Sequence, residues 1–269
     1  MNQPGSGRRV GCMEQDARHK AGAIKNVHGN TVDHLGAKIV AGGYAPDAVI
    51  PPEPQLCADL GVSRTVVREA VKSLIAKGLV STGPKVGTRV LRPDRWNWFD
   101  PDVIGWQVQA GLTREFLRDL QELRRVVEPA AVRLAAERAT RQDILEIESA
   151  YDGMCRAVTE GGDYVTHDLR FHQGLLRACG NRMLAQMGQA LGALLRTSFE
   201  ISTSRKDGAR LSLPLHRAVL DAVIARNPAR AERAVLVLID GAGQDIELVL
   251  VTRRRLPRLH QPASLLKAA

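Results

Sequence analysis

From residue 113 to residue 252, apolar side chains recur with a helical period through six segments, roughly 113–139, 141–160, 162–179, 181–204, 211–226 and 228–252. Gly or Asn separates all but the first two, which meet at Thr140, and no alternating strand pattern or G-x-G-x-x-G turn intervenes. Helices joined by such short connections run antiparallel and bury their apolar stripes against one another, so the stretch predicts an all-helical bundle over 110–252. A doubly wound sheet or a β-sandwich is excluded for most of the chain. With 269 residues, 44% hydrophobic and 25% charged, the sequence has room for a second, smaller unit ahead of the bundle.

That unit is predicted over 29–92. Val32, Leu35, Ile39 and Val40 have helical spacing and are followed by Gly42 and Gly43. PPEPQLCADLG reads as a short second helix ended by Gly61, and Ser63 is placed to cap a third. In that third helix Val66, Val67, Ala70, Val71, Leu74 and Ile75 form an apolar stripe, while Arg64, Arg68 and Lys72 fall on another face. Two short β-prone runs, LVST and TRVL, then flank the loop Gly83-Pro84-Lys85-Val86-Gly87 and predict a hairpin with a basic tip. Three helices followed by a hairpin are the layout of a winged helix-turn-helix. The segment 93–109 carries Trp96, Trp98 and Trp106 and reads as a linker that packs, with Pro93 and Pro101 breaking regular structure. Residues 1–28 and 253–269 read as flexible basic tails.

Charge supports a nucleic-acid-binding head. Of the net +9, residues 1–99 contribute +6 (14 Lys/Arg, 8 Asp/Glu), residues 100–252 contribute −2 (19 and 21) and residues 253–269 contribute +5. Basic tails alone are the simpler explanation. The third helix favours the head, because Arg64 and Arg68 at its start can pair bidentately with guanine while Ser63 and Thr65 reach phosphates or base edges. Lys85, Gly87 and Arg89 of the wing are the remaining candidate DNA contacts. One head reads too few base pairs for specificity in a genome, so a homodimer on a pseudo-palindromic double-stranded operator is expected. No run reaches the roughly 18 uncharged apolar residues of a membrane span, and the first residues lack a signal-peptide core. A cytoplasmic protein without a membrane partner is expected. Cys12, Cys57, Cys155 and Cys179 are too scattered for a disulfide framework or zinc knuckle, and read as core hydrophobes or exposed thiols.

The stretch from Leu35 to Val90 resembles the winged-helix domain of GntR-type transcription regulators, most specifically through VSRTVVREAVKSLIAKGLV. The resemblance implies that Arg64, Arg68 and the wing around Lys85 to Gly87 touch DNA. It departs at Pro54, where family members often carry an arginine, so one expected contact is missing.

In the bundle, Asp168 and His172 lie four residues apart in register with Val165, Leu175, Leu176 and Cys179, and His216 aligns with Val219, Leu220, Val223 and Ile224. A carboxylate and two imidazoles converging inside a bundle can hold a divalent metal such as Zn or Ni, with water or ligand oxygens in open positions. Hydrogen-bonded core histidines explain the pattern equally well. Arg124 falls beside the apolar stripe Leu117, Leu120, Val127, Ala131 and Leu134. An interior guanidinium needs an anion, which is either Glu128 one turn on or a ligand carboxylate.

Across roughly 110–250 the chain also resembles the FCD ligand-binding domain of the FadR branch, through ELRRVVEPAAVRLAAERAT, HDLRFHQGLLRACGN and LHRAVLDAVIARNPARAERAV. That likeness implies a small organic acid as effector and a metal held by one Asp and three His. Asp168, His172 and His216 match, Leu238 stands at the fourth place, and Asp245 two turns beyond offers a substitute. The Trp-rich segment, LRRVVEPA and the missing histidine together resemble repressors of galactonate and related sugar-acid operons. Two rivals share these residues: a metal-sensing regulator, and an enzyme with a water-activating Asp-His-His centre. Against the enzyme, no G-x-S-x-G or H-E-x-x-H motif is present.

Overall fold

The computed structural model describes residues 27–252 apart from Lys85 and Lys206. The tails, Cys12 and the wing residue Lys85 therefore lie outside the described residues, except that 27 and 28 open the first helix. The fold is mainly α, with a small two-stranded antiparallel sheet, and the chain divides into two compact units, Met1–Ala110 and Gly111–Ala269. Among the described residues no helix is long and apolar enough to cross a membrane.

The first unit begins with α1 (27–40), α2 (Glu53–Leu60) and α3 (Arg64–Ala76). Gly61 takes φ 64°, a left-handed turn that ends α2, and the Ser63 hydroxyl accepts from the Val66 N–H at 3.4 Å to start α3. Leu35, Ile39, Leu56, Val67, Ala70 and Leu74 meet in one core, so each helix contributes its apolar stripe to the same interior. The wing is β1 (Val80–Gly83) paired with β2 (Gly87–Val90), from Val80 opposite Val90 to Gly83 opposite Gly87. Residues 48–50 extend it, since Val90 N–H donates to Ala48 and Ile50 N–H donates to Thr88, both at 2.9 Å. This third edge has no alternating pattern to announce it.

The tryptophan segment departs from expectation. A 3₁₀ turn (Pro93–Arg95) leads into α4 (Pro101–Ala110), so Pro101 opens a helix instead of breaking one. A proline lacks only an N–H that the first turn would leave unpaired, and Asp100 Oδ1 accepts from Asp102 and Val103 at 2.9 and 3.3 Å. Trp96 and Trp106 are buried in the core shared with α1 and α3. Trp106 Nε1 donates to Asp33 at 3.2 Å, and Lys77 Nζ bridges Asp100 and Asp102 at 2.9 and 2.6 Å. The segment belongs to the first unit's core and is not a free connection.

Gly36 in α1 is where Trp106 comes closest: a Cβ there would lie 2.4 Å from the indole ring. Alanine gains about 1 kcal/mol of helix propensity over glycine, but overpacking against a rigid ring costs about 1–3 kcal/mol, so Gly36→Ala should lower the melting temperature. Gly29→Ala, with nothing within 4 Å, should not. Equal melting by calorimetry would contradict the packing.

The second unit contains α5 (Arg114–Arg138), α6 (Arg141–Glu160), α7 (Tyr164–Ala178), α8 (Arg182–Ala190), α9 (Gly192–Thr203), α10 (Gly208–Ile224) and α11 (Pro228–Thr252). Caps start several of them: Thr113 accepts from Phe116, Thr140 and Asp143 form a reciprocal capping box, and Asn181 accepts from Met183 and Leu184. The single helix expected over 181–204 is two, with Leu191 at the break. Gly188 and Gly192 account for it. Both face α7, where a Cβ would come within 2.6 Å of Leu176 and 2.9 Å of Gln173, and each glycine weakens the helix that would otherwise continue. The core joins Ala131 and Ala135 of α5, Phe171 and Leu175 of α7, Val219 and Leu220 of α10, and Val235 and Ile239 of α11. Of the cysteines, Cys179 is buried and Cys57 and Cys155 are half-buried, all as free thiols.

Candidate functional site

Arg64, Thr65 and Arg68 are exposed on one side of α3, opposite the buried Val67, Ala70, Val71 and Leu74. Arg68 Nε donates to Glu53 Oε2 of α2 at 2.8 Å, a partner the sequence reading missed. The Ser63 hydroxyl is engaged in its cap. Gly87 sits at the start of β2 with φ 78°, which favours glycine. Arg89, expected to contact DNA, donates through Nη1 to the Asp47 carbonyl at 2.5 Å. Asp47 takes φ 66°, a left-handed turn, and Arg89 ties that turn to the wing.

In the second unit, α7 supplies Asp168 and His172 on successive turns and α10 supplies His216; all three are buried. Asp168 Oδ1 lies 3.0 Å from His216 Nε2 and 3.4 Å from His172 Nε2, and one ligand atom from each residue falls within 4.8 Å of the others. Both outer nitrogens are engaged. His216 Nδ1 donates to the Ser212 carbonyl at 2.9 Å, and His172 Nδ1 donates to Glu128 Oε2 of α5 at 2.7 Å. With Nδ1 anchored in this way, each ring turns its Nε2 toward Asp168, where it donates to the carboxylate when protonated and becomes a ligand atom when that proton is lost. Glu128 was foreseen only as a partner for Arg124; its second role as the orienting carboxylate of His172 is a contact between helices that spacing does not reveal.

Electrostatics tighten the cluster. Burial alone would raise the Glu128 carboxyl, but Arg124 and His172 outweigh it and bring it to about 2. Burial likewise opposes charge on Asp168, and His216 and His172 overcome it to hold that carboxyl below its usual range. His172, which burial would depress, is raised to about 9 by the charges and hydrogen bonds of Glu128 and Asp168. Two carboxylates thus serve two imidazoles and one guanidinium in a water-poor interior.

Arg124 is 2% exposed. Its Nε donates to Glu128 Oε1 at 2.7 Å, its guanidinium stacks on Phe199 at 5.0 Å, and its fully buried Nη1 has no hydrogen-bond partner among the described residues. Glu128 therefore answers only part of the arginine's demand. Arg124, Asp168, His172 and His216 line one cavity of about 180 Å³. Leu238 lines it too and offers no donor atom. Asp245 is at the same cavity, but it is ion-paired with Arg205 and stands outside the Asp168–His172–His216 group. The donor set suits a divalent cation with open positions: three ligand atoms at this spacing, each imidazole anchored through Nδ1 so that Nε2 is the atom a metal would take in exchange for a proton.

The comparisons with known proteins agree with this division. Residues 28–90 match the gntR family of bacterial regulatory proteins and residues 119–241 match the FCD domain. The galactonate operon transcriptional repressor of Escherichia coli (strain K12) is 35% identical over 207 residues, covering 76% of this chain and 90% of the relative. A probable D-xylose utilization operon transcriptional repressor of Paenarthrobacter nicotinovorans is 30% identical over 201 residues, covering 73% and 78%. The solved structure of Lar, which controls expression of the Listeria monocytogenes agr system, superposes with a TM-score of 0.60 at 15% identity over 82% of this chain and 96% of that one; it attests the fold. The chain belongs to the gntR family of bacterial regulatory proteins, with a winged helix for DNA and an FCD domain for an effector, and is a ligand-responsive transcription regulator and not an enzyme.

Proposed function

We propose that this regulator is a cytoplasmic homodimeric repressor of a sugar-acid catabolic operon, released from its operator when a small hydroxy acid of the galactonate type enters the FCD cavity. One observation carries the reading: Arg124, which keeps a buried nitrogen without a hydrogen-bond partner among the described residues, lines the same cavity as a carboxylate and two anchored imidazoles. Arg124 takes the effector carboxylate, since burying that nitrogen unpaired is costly and an anion relieves it. Asp168, His172 and His216 would hold a divalent ion, Zn or Ni, which when bound supplies positive charge for the acid's carboxylate and hydroxyl oxygens. Glu128 keeps His172 oriented and balances Arg124 until the acid arrives. A neutral sugar brings no charge for Arg124. The name of the Escherichia coli relative supports the ligand class, and Arg64, Thr65 and Arg68 are the assigned base-reading residues.

Thermal shift against aldonic acids, their parent sugars and simple fatty acids tests the effector, and elemental analysis of protein purified without chelator or nickel resin tests the metal. Selective stabilisation by aldonic acids and about one divalent ion per chain are expected. Stabilisation by neutral sugars equal to that by acids would sink the effector assignment. Metal content near zero, unchanged after added zinc, would make the histidines hydrogen-bonded core residues. Operator release by metal alone, with no response to acids, would make the ion itself the signal.

A further inference from the structure

The side chains lining the cavity fall into two groups that differ in burial and in chemistry. Arg124, Asp168, His172 and His216 are each at most 4% exposed, whereas the Arg205 side chain, in the α9–α10 connection, is 43% exposed and that of its partner Asp245, on α11, is 18% exposed. Gln244 lines the cavity beside Asp245. The buried group includes a guanidinium nitrogen that needs an anion. The more exposed group includes a guanidinium already neutralised by a carboxylate.

We infer that the Arg205–Asp245 pair is a specificity element that reads the hydroxylated far end of the effector and rejects a second carboxylate there; this rests on the sugar-acid reading of the cavity. A sugar hydroxyl both donates and accepts. Asp245 offers acceptor oxygens, Arg205 offers donors, and the Gln244 amide offers both, so neighbouring hydroxyls can be met without leaving charge unbalanced. A terminal carboxylate at the same place gains Arg205 only by competing with Asp245, and then faces that carboxylate as a like charge. The pair therefore favours a monocarboxylic aldonate over the dicarboxylic aldarate of equal length. Asp245 is thus assigned to effector selection instead of to a fourth metal position.

Two substitutions with opposite expected signs test this. In Asp245→Asn the carboxylate is gone and Arg205 is free, so calorimetric titration should show weaker aldonate binding and stronger aldarate binding, moving their affinity ratio by roughly tenfold or more toward the aldarate. In Arg205→Gln the carboxylate remains without its counter-ion, so aldarate binding should fall further below wild type. Circular dichroism and operator affinity check that both variants stay folded. A ratio unchanged in both variants, or shifted the same way in both, overturns the specificity role while leaving the sugar-acid reading intact. Wild-type protein that binds neither acid overturns both.

Discussion

Arg68→Ala should weaken binding to the operator by roughly 30-fold to 10⁴-fold without unfolding the protein. The range follows from one bidentate contact to a base, worth about 1–3 kcal/mol, lost once in each half-site of the proposed homodimer, which amounts to about 2–6 kcal/mol in total. The fold is spared because the pair that Arg68 makes with Glu53 is exposed on both sides, and such pairs contribute at most about 1 kcal/mol. Glu53 also gives the experiment its control. If the Glu53 carboxylate merely steadies the guanidinium, Glu53→Gln changes operator affinity far less than Arg68→Ala; if Arg68 serves only to hold α2 against α3, the two substitutions have similar small effects. Gel-shift titration against operator and unrelated DNA, with circular dichroism for folding, separates these outcomes. Wild-type operator affinity in Arg68→Ala would remove Arg68 from the contact set. Arg89→Ala is a further comparison, because its guanidinium clamps the Asp47 carbonyl and its loss loosens the wing.

Much of this architecture was legible because it is local. Helix-period stripes, the Ser63 cap and the glycine after α2 depend on residues within a turn of one another, and the structure forms each of them. What escaped the sequence depends on distant neighbours. Pro101 looked like a breaker because a proline reads identically at the start of a helix and in a loop; the core that receives Trp106 decides between them, through Asp33, which lies 73 positions away. The break at Leu191 reflects glycines chosen for the close approach of α7, a constraint written on another helix. The same holds at the cavity. The four-residue spacing of Asp168 and His172 was visible, and so was the partnership open to Arg124 and Glu128, yet only the packing of α5 against α7 makes Glu128 serve both Arg124 and His172. Asp245 is a candidate by its position two turns beyond Leu238 on the same face, and the partner that claims it, Arg205, comes from a connection without any periodic pattern.

Removing the Arg124 nitrogen proposed to bind the effector's carboxylate should turn the regulator into one that holds its operator regardless of acid. Arg124→Ala is the direct substitution, and it carries two effects that must be told apart. The side chains of Arg124 and Glu128 are 1% and 6% exposed, so deleting the arginine strands a carboxylate in the interior and should cost about 3–5 kcal/mol of stability. A lost acid response in a protein so weakened proves little. The pair Arg124→Met with Glu128→Gln removes both charges together, retains side chains of similar length, and leaves an amide oxygen that can still accept from His172 Nδ1. This double variant should stay folded, bind operator DNA with wild-type affinity through the untouched first unit, and require about 100-fold more aldonic acid for release, the consequence of losing charge-assisted hydrogen bonds worth about 1.5–3 kcal/mol each. Operator release titrated with acid, read alongside thermal stability, makes the measurement. If the double variant responds to the acid as the wild type does, the unpartnered nitrogen of Arg124 is not the carboxylate site, and the effector's charge must be met by the metal-ligand cluster alone.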